Sequence, residues 1–365
     1  MENVLDSYQN QLIPEEYLAM PEDELRARIK KAKATLGDKL LFLAHHYQKD
    51  EVVEFADQVG DSLALAQIAQ ANKKADYILF CGVHFMAETA DILTQDRQSV
   101  ILPDLAAGCS MADMVNDNQL ERAWHDLQIK YPDEIIPITY VNSTAAVKAF
   151  VGAHGGVTCT SSNAASVLEW AFTQKKRVFF LPDQHLGRNT AVAMGIPLEE
   201  MGIWDPIAND LIADKTDLKI ILWNGWCSVH QQFTGEHVDE VRRQYPGIKV
   251  IVHPECQYEV VQKADVSGST NKILNTVKDA PAGSKWAVGT DNNLVARMAS
   301  EIKDKEVVFL NPISCACMTM NRIKLPHVAW ALENLVKGNV VNQIKVDPVI
   351  AKNAAKALDQ MLLLS

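Results

Sequence analysis

Cys109, Cys227 and Cys317 each stand just beyond an apolar, β-branched run that reads as a strand. Cys109 follows Val100-Ile101-Leu102-Pro103, Cys227 follows Ile220-Ile221-Leu222-Trp223, and Cys317 follows Val307-Val308-Phe309-Leu310. They lie 118 and 90 residues apart, so any convergence must come from the fold rather than from a local knuckle. Three thiolates around a cuboidal iron–sulfur cluster leave one iron without a protein ligand, able to bind substrate and act as a Lewis acid. That chemistry belongs to an enzyme with a metal-assisted elimination step, not to an electron carrier. The competing reading is plain packing: seven cysteines in 365 residues is an ordinary count, and a cysteine outside a disulfide is most often a small buried hydrophobe.

Other strand-like runs also end on polar residues, where ligands bind in open α/β sheets. Leu41–Ala44 runs into His45-His46-Tyr47, and Ile136–Tyr140 into Val141-Asn142-Ser143. Phe179–Pro182 runs into Asp183-Gln184-His185, and Val250–Val252 into His253-Pro254-Glu255. His45 and Tyr47 point to one side of an extended chain and suit proton transfer. Tyr140 and Asn142 share that spacing and suit a carboxylate. His253 and Glu255 do too, and desolvation there is expected to raise the glutamate pKa toward a value useful for acid–base work. His230, three residues after Cys227, is a substrate contact, a support behind the residues that touch substrate, or a surface residue. Lys148 is expected to face solvent or a phosphate. There is no H-E-x-x-H helix, P-loop or G-x-S-x-G elbow.

Positioning these groups requires an α/β fold with parallel sheets. Strands are expected at 39–44, 76–81, 99–102, 135–140, 156–160, 177–181, 219–223, 248–252, 264–267, 285–289 and 306–310, as apolar runs between helical stretches. Helices are expected from Pro21 to about Gly37, from Pro326 to Lys337 and from Pro348 to Leu364. Small hydroxyl residues open helices at Gly60-Asp61-Ser62, Thr160-Ser161-Ser162 and Gly268-Ser269-Thr270, and each offers N–H groups to an anion. The segment before Ser62 reads as helix rather than strand. Three such starts suggest three similar domains. The formal charge of −11 argues against nucleic acid or acidic membranes as general partners. The first ten residues lack a secretory pattern, and no apolar run reaches transmembrane length. With an odd, irregular cysteine set, reduced thiols in a cytoplasm are expected.

His45-x-Tyr47, Gly60-Asp61-Ser62-Leu63, Gly82-Val83-His84-Phe85-Met86-Ala87-Glu88-Thr89-Ala90, Tyr140-Val141-Asn142-Ser143-Thr144, Thr160-Ser161-Ser162-Asn163-Ala164, Pro182-Asp183-Gln184-His185-Leu186-Gly187, Trp223-x-Gly225-x-Cys227-x-Val229-His230, Val252-His253-Pro254-Glu255 and Gly268-Ser269-Thr270 occur in this order over residues 25 to 330. Together they resemble the quinolinate synthase family of bacterial NAD biosynthesis. The resemblance implies three similar three-layer αβα domains in a pseudo-threefold triangle around a central active site. The corresponding divisions are 1–115, 116–206 and 207–330, with 331–365 a helical segment. It implies a 4Fe–4S cluster on Cys109, Cys227 and Cys317, with Cys315 a rival for the third place. Cys81, Cys159 and Cys256 then read as packing residues. Gln184 departs from the lysine of many relatives.

The implied reaction condenses iminoaspartate with dihydroxyacetone phosphate to quinolinate, phosphate and water. The implied substrate contacts are His45, Ser62, Met86, Tyr140, Asn142, Ser161, His230, His253, Glu255, Ser269 and Thr270. Glu255, Tyr47, His45 and His253 are the implied proton carriers. A functional link to the L-aspartate-oxidising enzyme follows from the substrate. The rivals are a cluster-dependent hydro-lyase on another small acid, and a non-catalytic iron–sulfur sensor. A sensor has no use for the His45/Tyr47 and His253/Glu255 pairs.

Overall fold

A computed structural model describes residues 13–311, 313 and 316–365; Cys315 lies outside the described residues. Its strands are short and apolar and fall into three sheets. The first contains β1 (Leu40–His45), β2 (Gln58–Gly60), β3 (Tyr77–Cys81) and β4 (Ser99–Ile101), in the order β2-β1-β3-β4. The second contains β5 (Ile135–Tyr140), β6 (Val157–Cys159), β7 (Arg177–Leu181), β8 (Met201–Asp205), β9 (Asp210–Ile212) and β10 (Ile220–Trp223), in the order β6-β5-β7-β10-β8-β9. The third contains β11 (Lys249–Val252), β12 (Val266–Ser267), β13 (Lys285–Gly289) and β14 (Glu306–Phe309), in the order β12-β11-β13-β14. Each sheet therefore holds the same parallel core, in which the first strand lies between the second and the third and the last strand follows. Every residue of β1, β5, β7 and β10 is buried, as parallel strands covered by helices on both faces require.

Each of the expected strand runs contains a strand. One expectation fails: the segment before Ser62 is strand β2, not helix. Its three residues are too few to show a period, and β1 decides their state. Asp57 continues the pairing, its N–H donating to Phe42 O and its Oδ2 accepting from Phe42 N, both at 2.8 Å. Two strand pairings were not expected. The β8–β9 pair is antiparallel and partly exposed, and Gln343–Ile344 pairs antiparallel with β4. Each of these gains its state from a partner rather than from its own pattern.

The chain divides into two compact units. One comprises the described residues to Cys109 together with Cys317–Val346 and carries the first sheet. Within it the helix Leu325–Val336 packs on the helix Glu22–Leu36. The other comprises Ser110–Ala316 and Asp347–Ser365 and carries the second and third sheets. Its cores gather Leu127, Phe179, Ile221 and Trp223 around the second sheet and Phe233, Val250, Val252 and Leu310 around the third.

Within the second unit, the helix Pro348–Leu363 lies along the helix Ala145–Ala153 and against β6. This explains a second failed expectation. Lys148, expected at solvent or on a phosphate, is fully buried and its Nζ donates to Ser143 O. Its helix is covered by the sheet on one side and by another helix on a second, leaving little free face. The close approach depends on Gly152, because a Cβ there would collide with the Asn353 carbonyl oxygen. Gly152→Ala is expected to destabilise the protein by about 1–3 kcal/mol, since a packed backbone oxygen has nowhere to go. Urea unfolding checks this; an unchanged midpoint would mean that the two helices separate without cost.

Candidate active site

The three cysteines sit on one repeated turn. A 3-10 helix begins three residues after each, at Ala112–Met114, His230–Gln232 and Met320–Arg322. An α-helix begins eight residues after each, at Asp117, Gly235 and Leu325. The residues before the 3-10 turn (Met111, Val229, Thr319) are all in the right-handed helical region. Those after it (Val115, Phe233, Ile323) are all extended and buried. Cys317 is in this frame; a count from Cys315 falls two residues out of it. All three thiols are half-buried, whereas Cys81, Cys159 and Cys256 are sealed and their thiols pushed well up by burial. Accessible thiols on matched turns are a donor set that fits an iron–sulfur cluster.

Local ties hold these turns. In the first unit, His84 N donates to Ala107 O at 2.8 Å, and Arg322 Nε donates to Asp104 Oδ2 at 2.9 Å. The second tie joins the chain before Cys109 to the turn after Cys317. In the second unit, Trp223 Nε1 donates to Met114 O at 2.9 Å, joining β10 to the turn after Cys109. Gly225 lets the Cys227 loop lie on the end of β7: a Cβ there would be 2.5 Å from Pro182 O, and Gln184 N donates to Gly225 O at 3.0 Å.

A buried polar cluster occupies the strand ends of the second unit. Glu255 is 2% exposed and accepts from Tyr140 Oη at 2.6 Å on Oε1. His230 Nδ1 lies 2.9 Å from its Oε2, and His230 Nε2 lies 3.1 Å from Thr290 Oγ1. His253 stacks on His230 with ring centroids 4.5 Å apart and planes 17° off parallel. Ligand atoms of Cys227, His230 and Glu255 all fall within 4.8 Å of one another. His230 is thus buried beside the cysteine and is not a surface residue. Thr290, at the end of β13, was not anticipated, although a strand-end polar residue carries the same signal as the others. Asn189 was also missed; its Nδ2 donates at 2.8 Å to both Pro254 O and Cys256 O, bracketing Glu255.

The glutamate differs electrically from expectation. Burial pushes it up, but the imidazoles of His230 and His253 and the Tyr140 hydroxyl outweigh burial, and its pKa is lowered to about 2. The two imidazoles contribute most to the lowering, and the hydrogen bonds of His230 and Tyr140 to its two oxygens add to it. Glu255 is therefore a carboxylate at rest. The second carboxyl nearby, Asp183, goes the other way: burial and the charge of Glu255 push it well up. Its Oδ1 accepts from Leu186 N at 2.7 Å, capping a helix, and its Oδ2 is buried without a hydrogen-bond partner among the described residues. Gln184 Nε2 donates to Asn224 Oδ1 at 2.8 Å and its Oε1 accepts from Arg188 at 2.9 Å, so the neighbouring arginine supplies a charge there.

In the first unit, His45 is buried and Tyr47 half-buried at the end of β1, their rings edge to face at 4.7 Å. Tyr47 N donates to His45 Nδ1 at 3.1 Å, and Glu255 N repeats this to His253 Nδ1 at 3.3 Å. Met86 is buried in the helix His84–Leu93. The hydroxyl residues follow the register of the sheets. His45 pairs with Gly60, two residues before Ser62; Tyr140 pairs with Cys159, two before Ser161. Val252 pairs with Ser267, so the next step sets His253 beside Gly268, two before Thr270. Ser62 and Thr270 are the first residues of their helices, with Asp61 and Ser269 as caps accepting from Ala64 N and Lys272 N. Among the described residues Asn142 Oδ1 is buried without a hydrogen-bond partner.

A family model described as quinolinate synthetase A protein matches residues 27–363. The chain is similar to the quinolinate synthase of Anoxybacillus flavithermus, 58% identical over 97% of each chain. It is 56% identical to that of Listeria monocytogenes over the whole of both chains. It is also 56% identical to that of Bacillus subtilis over 97% of this chain and 96% of the relative.

The buried imidazoles predict a pH dependence of stability. Burial holds His253 down to about 3, and burial with Arg188 holds His185 down to about 4, against an ordinary 6.5. Below about pH 6.5 the unfolded chain takes up these protons and the folded chain does not. Stability is therefore full above that pH and falls toward pH 4, by up to about 1.4 kcal/mol per pH unit for each imidazole. Glu255, lowered, adds its loss only as pH falls from about 4.5 through 2. Urea midpoints between pH 4.5 and 7.5 check this. His253→Gln is expected to flatten the slope; an equally steep variant would remove His253 as a cause.

Proposed function

This chain belongs to the quinolinate synthetase A family, and from that premise we propose that it is a quinolinate synthase, an enzyme of NAD biosynthesis that condenses iminoaspartate with dihydroxyacetone phosphate to quinolinate, phosphate and water. The observation that carries the chemistry is the turn repeated after Cys109, Cys227 and Cys317, which supports these three as cluster ligands and favours Cys317 over Cys315. Bound to three thiolates, a 4Fe–4S cluster supplies an iron with an open position for Lewis-acid activation of an oxygen leaving group. The common strand order supports a pseudo-threefold grouping of three domains, proposed as 1–115, 116–206 and 207–330 with the segment 331–365, although β9 and β10, past residue 206, complete the second sheet.

The reaction needs carboxylate binding and several proton transfers, with no net redox change. We assign the carboxylates to the helix starts at Ser62, Ser161 and Ser269-Thr270. Asn142 Oδ1 accepts from a substrate N–H or O–H. Met86 packs over the organic ring. Glu255, ionised at rest, accepts a proton from a substrate C–H or N–H, and Tyr140 Oη and His230 Nδ1 hold its two oxygens for that transfer. Tyr47 donates a proton, with His45 fixing its place; His253 stays neutral and orients substrate. Iminoaspartate must be supplied by oxidation of L-aspartate, so a link to the enzyme that does this is part of the proposal. No helix of the described residues is long and apolar enough to cross a membrane, and we place the enzyme in the cytoplasm.

Anaerobic purification, with iron and sulfide determination and a quinolinate assay, tests this. About four irons per chain and quinolinate from the two substrates are expected. Cys317→Ser is expected to lose the cluster and Cys315→Ser to keep it; the reverse pattern would move the third ligand. Glu255→Gln is expected to keep its iron and lose at least about 100-fold in kcat. Full turnover in that variant would remove Glu255 as proton acceptor.

A further inference from the structure

The loop Thr160–Asn163 is closed by the Asn163 side chain together with bonds from Ser162 N to Thr160 Oγ1 and from Asn163 N to Thr160 O. Asn163 is 4% exposed, and its Oδ1 accepts from Thr160 N at 2.7 Å and from Thr160 Oγ1 at 3.0 Å. Its Nδ2 donates to Met361 O at 3.1 Å and to Ser365 Oγ at 2.9 Å. Ser365 Oγ in turn donates to Met361 O at 2.7 Å. All the capacity of the Asn163 amide is thus used, half on the loop and half on residues almost 200 positions later. The Met361 carbonyl belongs to the last turn of the helix Pro348–Leu363, where carbonyls lack intrahelical donors. The Leu364 N–H reaches it at 3.3 Å, and Asn163 and Ser365 add two side-chain donors.

Ser161 lies inside this closed loop, half-exposed, and among the described residues its hydroxyl makes no hydrogen bond. The helix that Asn163 leads into runs from Ala164 to Gln174. Asn163 is buried, whereas Ser365 is exposed and reaches the loop through its hydroxyl. Their role lies in where they hold the loop, which the last turn of a distant helix anchors. The anchor is firm because that helix is itself seated on Ala145–Ala153 through Gly152.

We propose that Asn163 and Ser365 are positioning residues for substrate binding: together they brace the Ser161 loop so that its hydroxyl and N–H groups are preset for a carboxylate. This rests on the reading of Ser161 as a carboxylate contact and deepens it. Presetting a loop lowers the ordering cost of binding, so the brace acts on affinity rather than on the proton transfers at Glu255.

The test uses the cluster-loaded enzyme under anaerobic conditions, with quinolinate, a dicarboxylate, as the probe. Dissociation constants, kcat, KM for each substrate and melting temperatures are compared for Ser161→Ala, Ser365→Ala, Asn163→Asp and the Ser161→Ala/Ser365→Ala pair. Asn163→Asp keeps the acceptor toward Thr160 and loses both donated bonds; it is expected to weaken quinolinate binding about 10-fold. Ser365→Ala, which removes one hydroxyl, is expected to weaken it about 3-fold. In both, KM for iminoaspartate rises while saturated kcat is kept. In the Ser161→Ala background the Ser365→Ala effect should vanish, because the contact that the brace presets is gone. Weak binding in Ser161→Ala with normal affinity in Asn163→Asp and Ser365→Ala would overturn the brace and leave the Ser161 reading standing. Normal affinity in Ser161→Ala would overturn that reading, and the brace with it. A fall in kcat with affinity unchanged would also overturn the brace.

Discussion

Parallel pairing is the constraint on which the rest of this protein depends. A parallel strand cannot turn straight back into its neighbour, so each must be followed by a crossover that covers one face of the sheet. With both faces covered, β1, β5, β7 and β10 are buried at every residue and have no room for chemistry along their length. Apart from small hydroxyls such as Thr139 and Thr158, the polar groups gather where strands end. His45, Tyr140, Asp183, His253 and Thr290 all stand at or just past such ends. The shared strand order repeats the effect: the first strand of each sheet lies beside the second, whose exit leads to Ser62, Ser161 or Thr270.

Within that frame, the electrostatics of Glu255 and Asp183 show how burial alone fails to predict a carboxyl group. Both are sealed from solvent. Glu255 has a phenol and an imidazole on its two oxygens and is held ionised. Asp183 has only backbone donors among the described residues, Leu186 N on one oxygen, and its burial and the charge of Glu255 push it toward its neutral form. Two buried carboxyl groups driven apart in this way can hold different protonation states at one pH, which suits a site that must both take up and release protons.

The repeated cysteine turn shows the same economy in backbone geometry. An extended residue at Val115, Phe233 and Ile323 ends each 3-10 turn and is buried, which fixes the direction of the helix that follows. At the third position after the cysteine, two turns carry Ala112 and Met320 and the middle one carries His230. One polar replacement in a repeated apolar frame sets an imidazole on Glu255.

Much of this was legible in the chain itself. Apolar runs bounded by polar residues locate the strands because a strand buried on both faces needs little besides hydrophobicity and β-branching. The ordered motifs from His45-x-Tyr47 to Gly268-Ser269-Thr270 were enough to indicate the family, and the polar residues at strand ends were visible as candidates. What the chain did not disclose depends on partners distant in sequence. The state of Gln58–Gly60 is set by β1, and the burial of Lys148 by a helix some 200 residues later. The sign of the Glu255 shift is set by His230, 25 positions away, and by the neighbouring His253, with Tyr140, 115 positions away, adding to it. Hydrophobic pattern is a local property and is written in the sequence. Desolvation, hydrogen-bond supply and the field at a buried group are sums over neighbours, and only the tertiary structure decides which neighbours those are.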